Sequence, residues 1–213
     1  MRLSPIVVAG PSVTSARAIS SCSKTACRAF LGSLKPADRV MVISISGEIE
    51  VLAPLGTDRG PAFAALQDLD PWGTTPLYDA IIRSLDLVEP ETGRRAIVVL
   101  SDGDDRYSQA GEVDVLTRAR RSDVLIYPIA LARHRPPLFA ELAAITGGRS
   151  FLLRDPKRLQ TTLQAIVEDL GAQYLLGYAP SGPAEDRAGW RSITVQVTRP
   201  GVTVRARSGY LAR

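Results

Sequence analysis

The chain has 213 residues, 45% hydrophobic and 23% charged, with a formal net charge of +4. This composition is ordinary for a globular protein and fits one sizeable domain, or one domain with an appendage. No apolar stretch approaches the roughly 20 residues a membrane-spanning helix needs, and one histidine and two cysteines exclude a zinc site of Cys/His type.

The basic residues are nearly all arginine and lie in small scattered groups, such as Arg94-Arg95, Arg133 with Arg135, and Arg205 with Arg207. A nucleic-acid binder concentrates such charge on one face beside stacking aromatics. Aromatics are only 6% here, so nucleic acid is not an expected partner.

In chain order, Ile6 to Ala9 reads as a short buried strand. That apolar run is shorter than the roughly 7–15 residue core of a secretory signal. As written, the chain is expected in the cytoplasm, or outside it if a signal precedes this sequence. A helix follows from about Arg17 to Leu34, with Ile19, Cys22, Ala26, Phe30 and Leu34 in one apolar stripe and Pro36 as its stop. Cys22 and Cys27 point to different faces of that helix and are not expected to bridge. Arg39 to Ser46 and Glu48 to Leu52 are strands around Gly47. Pro61 to Leu69 reads as a short helix, Trp72 to Pro76 as a loop, and Leu77 to Val88 as a helix.

The apolar run Ala96 to Leu100 then forms a buried strand that ends in Ser101-Asp102-Gly103-Asp104-Asp105. A helix at Glu112–Arg121, a strand at Val124–Leu131 and a helix from Pro137 to Ile145 follow, the last ending at Gly147-Gly148. Ser150–Leu153 is a short strand and Pro156–Leu170 a helix. Alternating strands and helices imply an α/β fold, a doubly wound and mostly parallel sheet with helices on both faces. The last forty residues break the rhythm. Gln173–Tyr178, Trp190–Thr198 and Val202–Arg207 read as strands with a hairpin turn at Pro200-Gly201. Residues 1–171 are therefore expected to form the α/β domain, and 172–213 a small antiparallel β unit packed on it or continuing it.

Open α/β sheets bind ligands at the carboxyl ends of their strands, and carboxylates there suit a hard cation. Three loops are expected at that edge: Gly10-Pro11-Ser12-Val13-Thr14, Gly73-Thr74-Thr75 and Ser101-Asp102-Gly103. Together they resemble the metal-ion-dependent adhesion site of the von Willebrand factor type A domain, whose motifs are D-x-S-x-S, a distant Thr and a distant Asp. GTTPLYDA is similar to the family's Thr loop and helix, and VVLSDGDD to its Asp strand and turn. LKPADRVMVISIS, YPIAL and LAAITGGRSF continue the match. The tail, QYLLGYAPSGP and WRSITVQVTRPGVTVRARSGY, resembles a bacterial subfamily related to this domain.

The resemblance implies metal contacts from Ser12, Thr14, Thr75 and Asp102, to Mg²⁺, Mn²⁺ or Ca²⁺. Its first Asp falls at Gly10, so the site is degenerate: one negative charge and one hydrogen-bond acceptor are missing, a loss of the kind that costs about 10–100-fold in affinity. Plainer readings stand beside this one. Thr75 before Pro76 also suits a helix N-cap, Asp102-Gly103 is a common turn pair, and Asp104 or Asp105 can cap the next segment or face solvent. His134 is expected on the surface, and Trp72 and Trp190 in packing.

The function implied is a non-catalytic module that binds a protein partner's carboxylate through the cation. The alternative is a metal-assisted hydrolase using Asp102 and Asp104. The chain offers it no GxxxxGK[ST], GxGxxG or GxSxG motif and no evident nucleophile with a positioned base.

Overall fold

Two neighbouring strands of the sheet, Arg94–Ser101 and Leu125–Ala130, alternate between two apolar faces, and the helices divide accordingly. A computed structural model describes residues 3–9, 16–46, 48–68, 75–174, 176–177 and 189–212 of the chain. Its elements are β1 (Leu3–Ala9), α1 (Ala16–Ser33), β2 (Val40–Ser46), β3 (Glu48–Gly56), α2 (Gly60–Asp68), α3 (Leu77–Val88), β4 (Arg94–Ser101), α4 (Glu112–Arg120), β5 (Leu125–Ala130), α5 (Pro137–Thr146), β6 (Phe151–Leu152), α6 (Leu159–Gly171), β7 (Gly189–Ser192) and β8 (Gly209–Ala212). A 3-10 turn at Pro156–Arg158 leads into α6, with Asp155 accepting a hydrogen bond from the Lys157 N–H. The sequence reading merged the two into one helix.

Six strands form one sheet in the order β3-β2-β1-β4-β5-β6. β1 pairs in parallel with β2 and β4, β4 with β5, and β5 with β6, while the edge strand β3 runs antiparallel to β2. On β4, Ala96, Val98 and Leu100 face one core while Ile97 and Val99 face the other. On β5, Tyr127 and Ile129 share the first face, and Ile126 and Ala130 the second. This period-2 alternation of almost wholly apolar residues is what a strand covered on both sides requires. α1, α2 and α6 cover one face; α3, α4 and α5 cover the other. The expected doubly wound fold with helices on both faces is the observed one.

The C-terminal segment departs from the reading. A small antiparallel sheet is present, yet its strands are Gly189–Ser192 and Gly209–Ala212. Ladder pairing stops after the Ile193 N–H bond to the Ser208 carbonyl (2.9 Å), so 194–198 and 202–207, expected as strands, carry none. The described residues of the expected strand at 173–178 form no strand either. Two causes act on the hairpin. Pro200 followed by Gly201 at φ +76° is the type II combination, whose twist splays a two-residue hairpin. The core also holds the returning arm: Arg205 pairs with Asp169, Arg207 Nη2 donates to the Ser122 carbonyl at 3.0 Å, and the Ser208 N–H to the Ile145 carbonyl at 3.3 Å. That arm passes so close that a Cβ on Gly147 would lie 2.8 Å from the Arg207 nitrogen.

Candidate functional site

In a sheet of this order the chain leaves β1 and β4 in opposite directions, which opens a crevice between their carboxyl ends. Register places Ala9 beside Leu100, so the loop after β1 and the acidic turn after β4 start level with one another. Gly10, Ser12 and Thr14 lie outside the described residues. Of the four metal-ligand candidates, the structure describes Thr75 and Asp102.

These two lie on loops that are joined. The Arg106 N–H donates to the Thr75 carbonyl at 2.8 Å, and the same carbonyl accepts from the Leu77 N–H at 2.8 Å. Thr75 is buried, and so is Ser101, the last residue of β4. Asp102 is half-buried. Its Oδ1 accepts from the Asp104 N–H at 3.1 Å, and the Gly103 N–H donates to Ser101 Oγ at 3.2 Å. Gly103 takes φ +88°, and a Cβ there would sit 2.1 Å from Pro136 Cγ. The β5–α5 loop thus presses on the turn and fixes where the Asp102 side chain begins.

The neighbouring acids have structural work. Asp105 Oδ1 accepts from the Tyr78 N–H at 2.9 Å and from Ser108 Oγ at 2.6 Å. Ser108 Oγ in turn accepts from the Tyr78 and Asp79 N–H groups at 3.1 and 3.2 Å. Asp79 accepts from the Gln109 and Ala110 N–H groups at 2.8 and 3.0 Å. So the turn after β4 caps α3, an earlier helix, rather than the segment that follows. Pro76 occupies the N-cap position of α3 and its carbonyl accepts the Ala80 N–H at 3.0 Å, so Thr75, the residue expected as the cap, lies one residue before it.

Oxygen chemistry dominates this edge. Burial raises the Tyr78 phenol above its usual pKa, and the nearby Glu112, Asp105 and Asp104 raise it further, which marks the edge as a region of negative potential. Among the described residues no group of three or more His, Cys, Asp or Glu side chains could hold a metal, so any cation held by them would need hydroxyl or carbonyl oxygens as well as carboxylate. Asp102 fits that part: among the described residues its Oδ2 has no hydrogen-bond partner. A hard cation takes such oxygen donors.

Ser108, Asp79 and Tyr107 were not singled out by sequence, and Asp105 was expected to cap the next segment or face solvent. Tyr107 is the non-glycine residue with positive φ among those described (+74°), and its side chain is 79% exposed. Helix capping across about thirty residues leaves no local signature. His134 is exposed, as expected. Trp190 is 42% exposed, although a Cβ on Gly209 would meet its ring at 2.5 Å.

A doubly wound sheet with an acidic turn at its switch point and one antiparallel edge strand is an α/β fold like that of the von Willebrand factor type A domain. Residues 13–104 match the family model of the von Willebrand factor type A domain. Solved structures of similar fold include an aerotolerance-related membrane protein from Bacteroides fragilis carrying multiple mutations to serines (17% identity, TM-score 0.59, 79% of this chain and 99% of that one). BatB from Bacteroides thetaiotaomicron is similar too (17%, 0.60, 80% and 97%). So is a von Willebrand factor type A protein from Catenulispora acidiphila (17%, 0.65, 78% and 42%). At these identities the likeness is one of fold. No curated protein sequence matches the chain.

Proposed function

We propose that the chain is a non-catalytic protein-interaction module that recognises a partner's carboxylate through a divalent cation at the carboxyl edge of the sheet. The von Willebrand factor type A domain, whose family model matches residues 13–104, is typically an interaction module. The observation that carries the reading is the contrast among the acids of this edge. Asp79 spends both carboxylate oxygens on backbone N–H groups, whereas Asp102, on the turn at the switch point, keeps Oδ2 without a partner among the described residues.

Asp102 and Thr75, with Ser12 and Thr14 from the loop after β1, would hold Mg²⁺, Mn²⁺ or Ca²⁺. The cation supplies positive charge and an open coordination position for the partner's carboxylate. The protein's share is to fix the donors: Pro136 confines the turn, and the Arg106–Thr75 bond ties the two loops together. Gly10 in place of a carboxylate lowers the charge of the site, so binding is expected to be weak alone and completed by the partner. In this reading residues 1–171 are the recognition domain and 172–213 its β extension.

Calorimetry with each of the three ions tests the reading. Weak binding that Asp102→Ala removes and Gly10→Asp strengthens is the expected result. No heat and no thermal shift at millimolar metal would sink it.

A further inference from the structure

The C-terminal hairpin is built to pair over its whole length, yet pairs over only part of it. β7 and β8 are in register Gly189↔Ala212 through Ser192↔Gly209. Moving inward one residue on each arm, the same register would set Arg199 opposite Val202, leaving Pro200-Gly201 as a two-residue loop. Instead the arms carry no ladder beyond Ile193 and Ser208. Among the described residues, the backbone N–H and C=O groups of 194–206 make no hydrogen bond.

Sequence in these arms is strand sequence. Ile193, Val195 and Val197 alternate with Thr194, Gln196 and Thr198, and Val202 and Val204 follow the turn, which is the pattern of a β-strand. Val197, Val202 and Val204 are exposed. Unpaired strand edges with exposed valines are templates for another strand. Charge selects the occupant. From Gly189 to Ala212 the chain carries Arg191, Arg199, Arg205 and Arg207 and no acidic residue; those within 194–206 are Arg199 and Arg205, the latter paired with Asp169 of the core. Two such arms from two copies would repel, since like charges on facing strands are destabilising, and basic residues on an edge oppose self-pairing. An acidic strand gains on both counts.

We infer that the splayed arms of the C-terminal hairpin, residues 194–206, form a docking site for an extended acidic segment of a partner protein, which adds to them as a β-strand. Main-chain hydrogen bonds would supply affinity, and the valines and arginines the selectivity. This site lies on the tail, which the core anchors through Ser122, Ile145 and Asp169. Those residues follow α4 or sit near the ends of α5 and α6, on the side of the sheet away from Asp102. The inference is therefore independent of the cation site.

The test uses the full chain and two labelled peptides, one alternating Glu with Val and one alternating Lys with Val. Fluorescence anisotropy reads binding, and amide hydrogen exchange reads protection of 194–206. The Glu peptide is expected to bind, to slow exchange in 194–206, and to weaken as salt rises. The Lys peptide should bind at least about tenfold less tightly. Val197→Pro or Val204→Pro, whichever arm receives the strand, should weaken binding about tenfold by removing ladder donors. Pro200→Asn supplies the Asn-Gly turn that suits a closed hairpin; it should protect the arms in the free protein and lower binding. Arms already protected in the free wild-type protein would overturn the inference. So would equal binding of the two peptides, binding of neither, wild-type binding by both proline variants, or equal competition from a single-stranded oligonucleotide.

Discussion

The backbone N–H of Tyr78 donates to the carboxylate of Asp105 at 2.9 Å. One bond thus makes the acidic turn after β4 the N-terminal cap of α3, the helix that precedes β4 in the chain. Ser108 reinforces it with bonds to the same helix end and to Asp105. Helix starts have N–H groups with no partner inside the helix, and carboxylates there also meet the positive end of the helix dipole.

Asp105→Ala is accordingly expected to destabilise the fold by about 1 kcal/mol, the usual worth of such a cap. In a chain of this size that lowers the melting temperature by about 2–4 °C. Thermal unfolding of Asp105→Ala beside Asp105→Asn checks it; the amide keeps an acceptor and should retain most of the stability. Equal stability of Asp105→Ala and wild type would show that the cap contributes nothing.

Asp102 should behave in the opposite way. Its Oδ2 has no partner among the described residues, so Asp102→Asn is expected to leave the metal-free melting temperature within about 2 °C of wild type, as for a substitution that breaks no buried bond. The same variant should bind Mg²⁺ or Mn²⁺ at least about tenfold more weakly. Melting curves with and without metal separate the two acids: Asp105 for stability, Asp102 for binding.

Gly103→Ala is expected to cost about 1–3 kcal/mol. The residue holds φ +88°, a conformation that strains a side chain by this order, and its Cβ would fall 2.1 Å from Pro136 Cγ. Denaturant titration measures the loss. A Gly103→Ala/Pro136→Ala double variant should recover the part due to collision with Pro136 Cγ, but not the part due to φ or to Pro136 Cβ, which stays 2.9 Å away.

Cys27 makes stability depend on alkaline pH. Burial in α1 pushes its thiol up from 9.0 to about 12, because desolvation disfavours the thiolate. The unfolded chain releases this proton near 9 and the folded chain near 12. The folded state's advantage is whole below pH 9 and falls between about pH 9 and 12, by at most ~1.4 kcal/mol per pH unit. In a Cys22→Ser background, stability measured from pH 8 to 11 should fall less steeply once Cys27→Ala is added. Identical slopes would refute the assignment.

Tyr127 supplies a second test of the core. Its hydroxyl donates to Asp169 at 2.8 Å and accepts from Gln173 Nε2 at 2.7 Å, while Asp169 also pairs with Arg205 of the tail. Burial and the Asp169 carboxylate push the phenol well above its usual range, so it remains a neutral donor. Tyr127→Phe is expected to cost about 1 kcal/mol and to speed amide exchange around Arg205 and Arg207, since Asp169 is the link between β5 and the returning arm. Unchanged exchange there would mean that the tail is held without this link.

Much of the fold was legible in order along the chain. Leu77–Val88 came out with its observed ends because apolar residues at helical spacing follow a proline and precede a turn. β4 and β5 were legible because only a strand covered on both faces is apolar at nearly every position. The tail's small antiparallel sheet was legible, but its strand bounds were misread for a physical reason: its residues have the alternation of strands, yet a ladder is a contact between two segments. Pro200-Gly201 and the anchors at Asp169, Ser122 and Ile145 set how far that contact runs.

The candidate site divides in the same way. Asp102 stood out by sequence because a buried strand delivers it to an edge where ligands bind. The sequence also determined that position 10 is glycine and that the β extension carries arginine without acid. Tertiary structure alone decided that Asp105 serves α3 and that Arg106 reaches the Thr75 carbonyl. It also decided that Pro136 confines Gly103. These are bonds and contacts between residues about thirty positions apart. Local spacing carries the period of a helix or strand, but a carboxylate's partner is set by which loops the sheet order brings to the same edge.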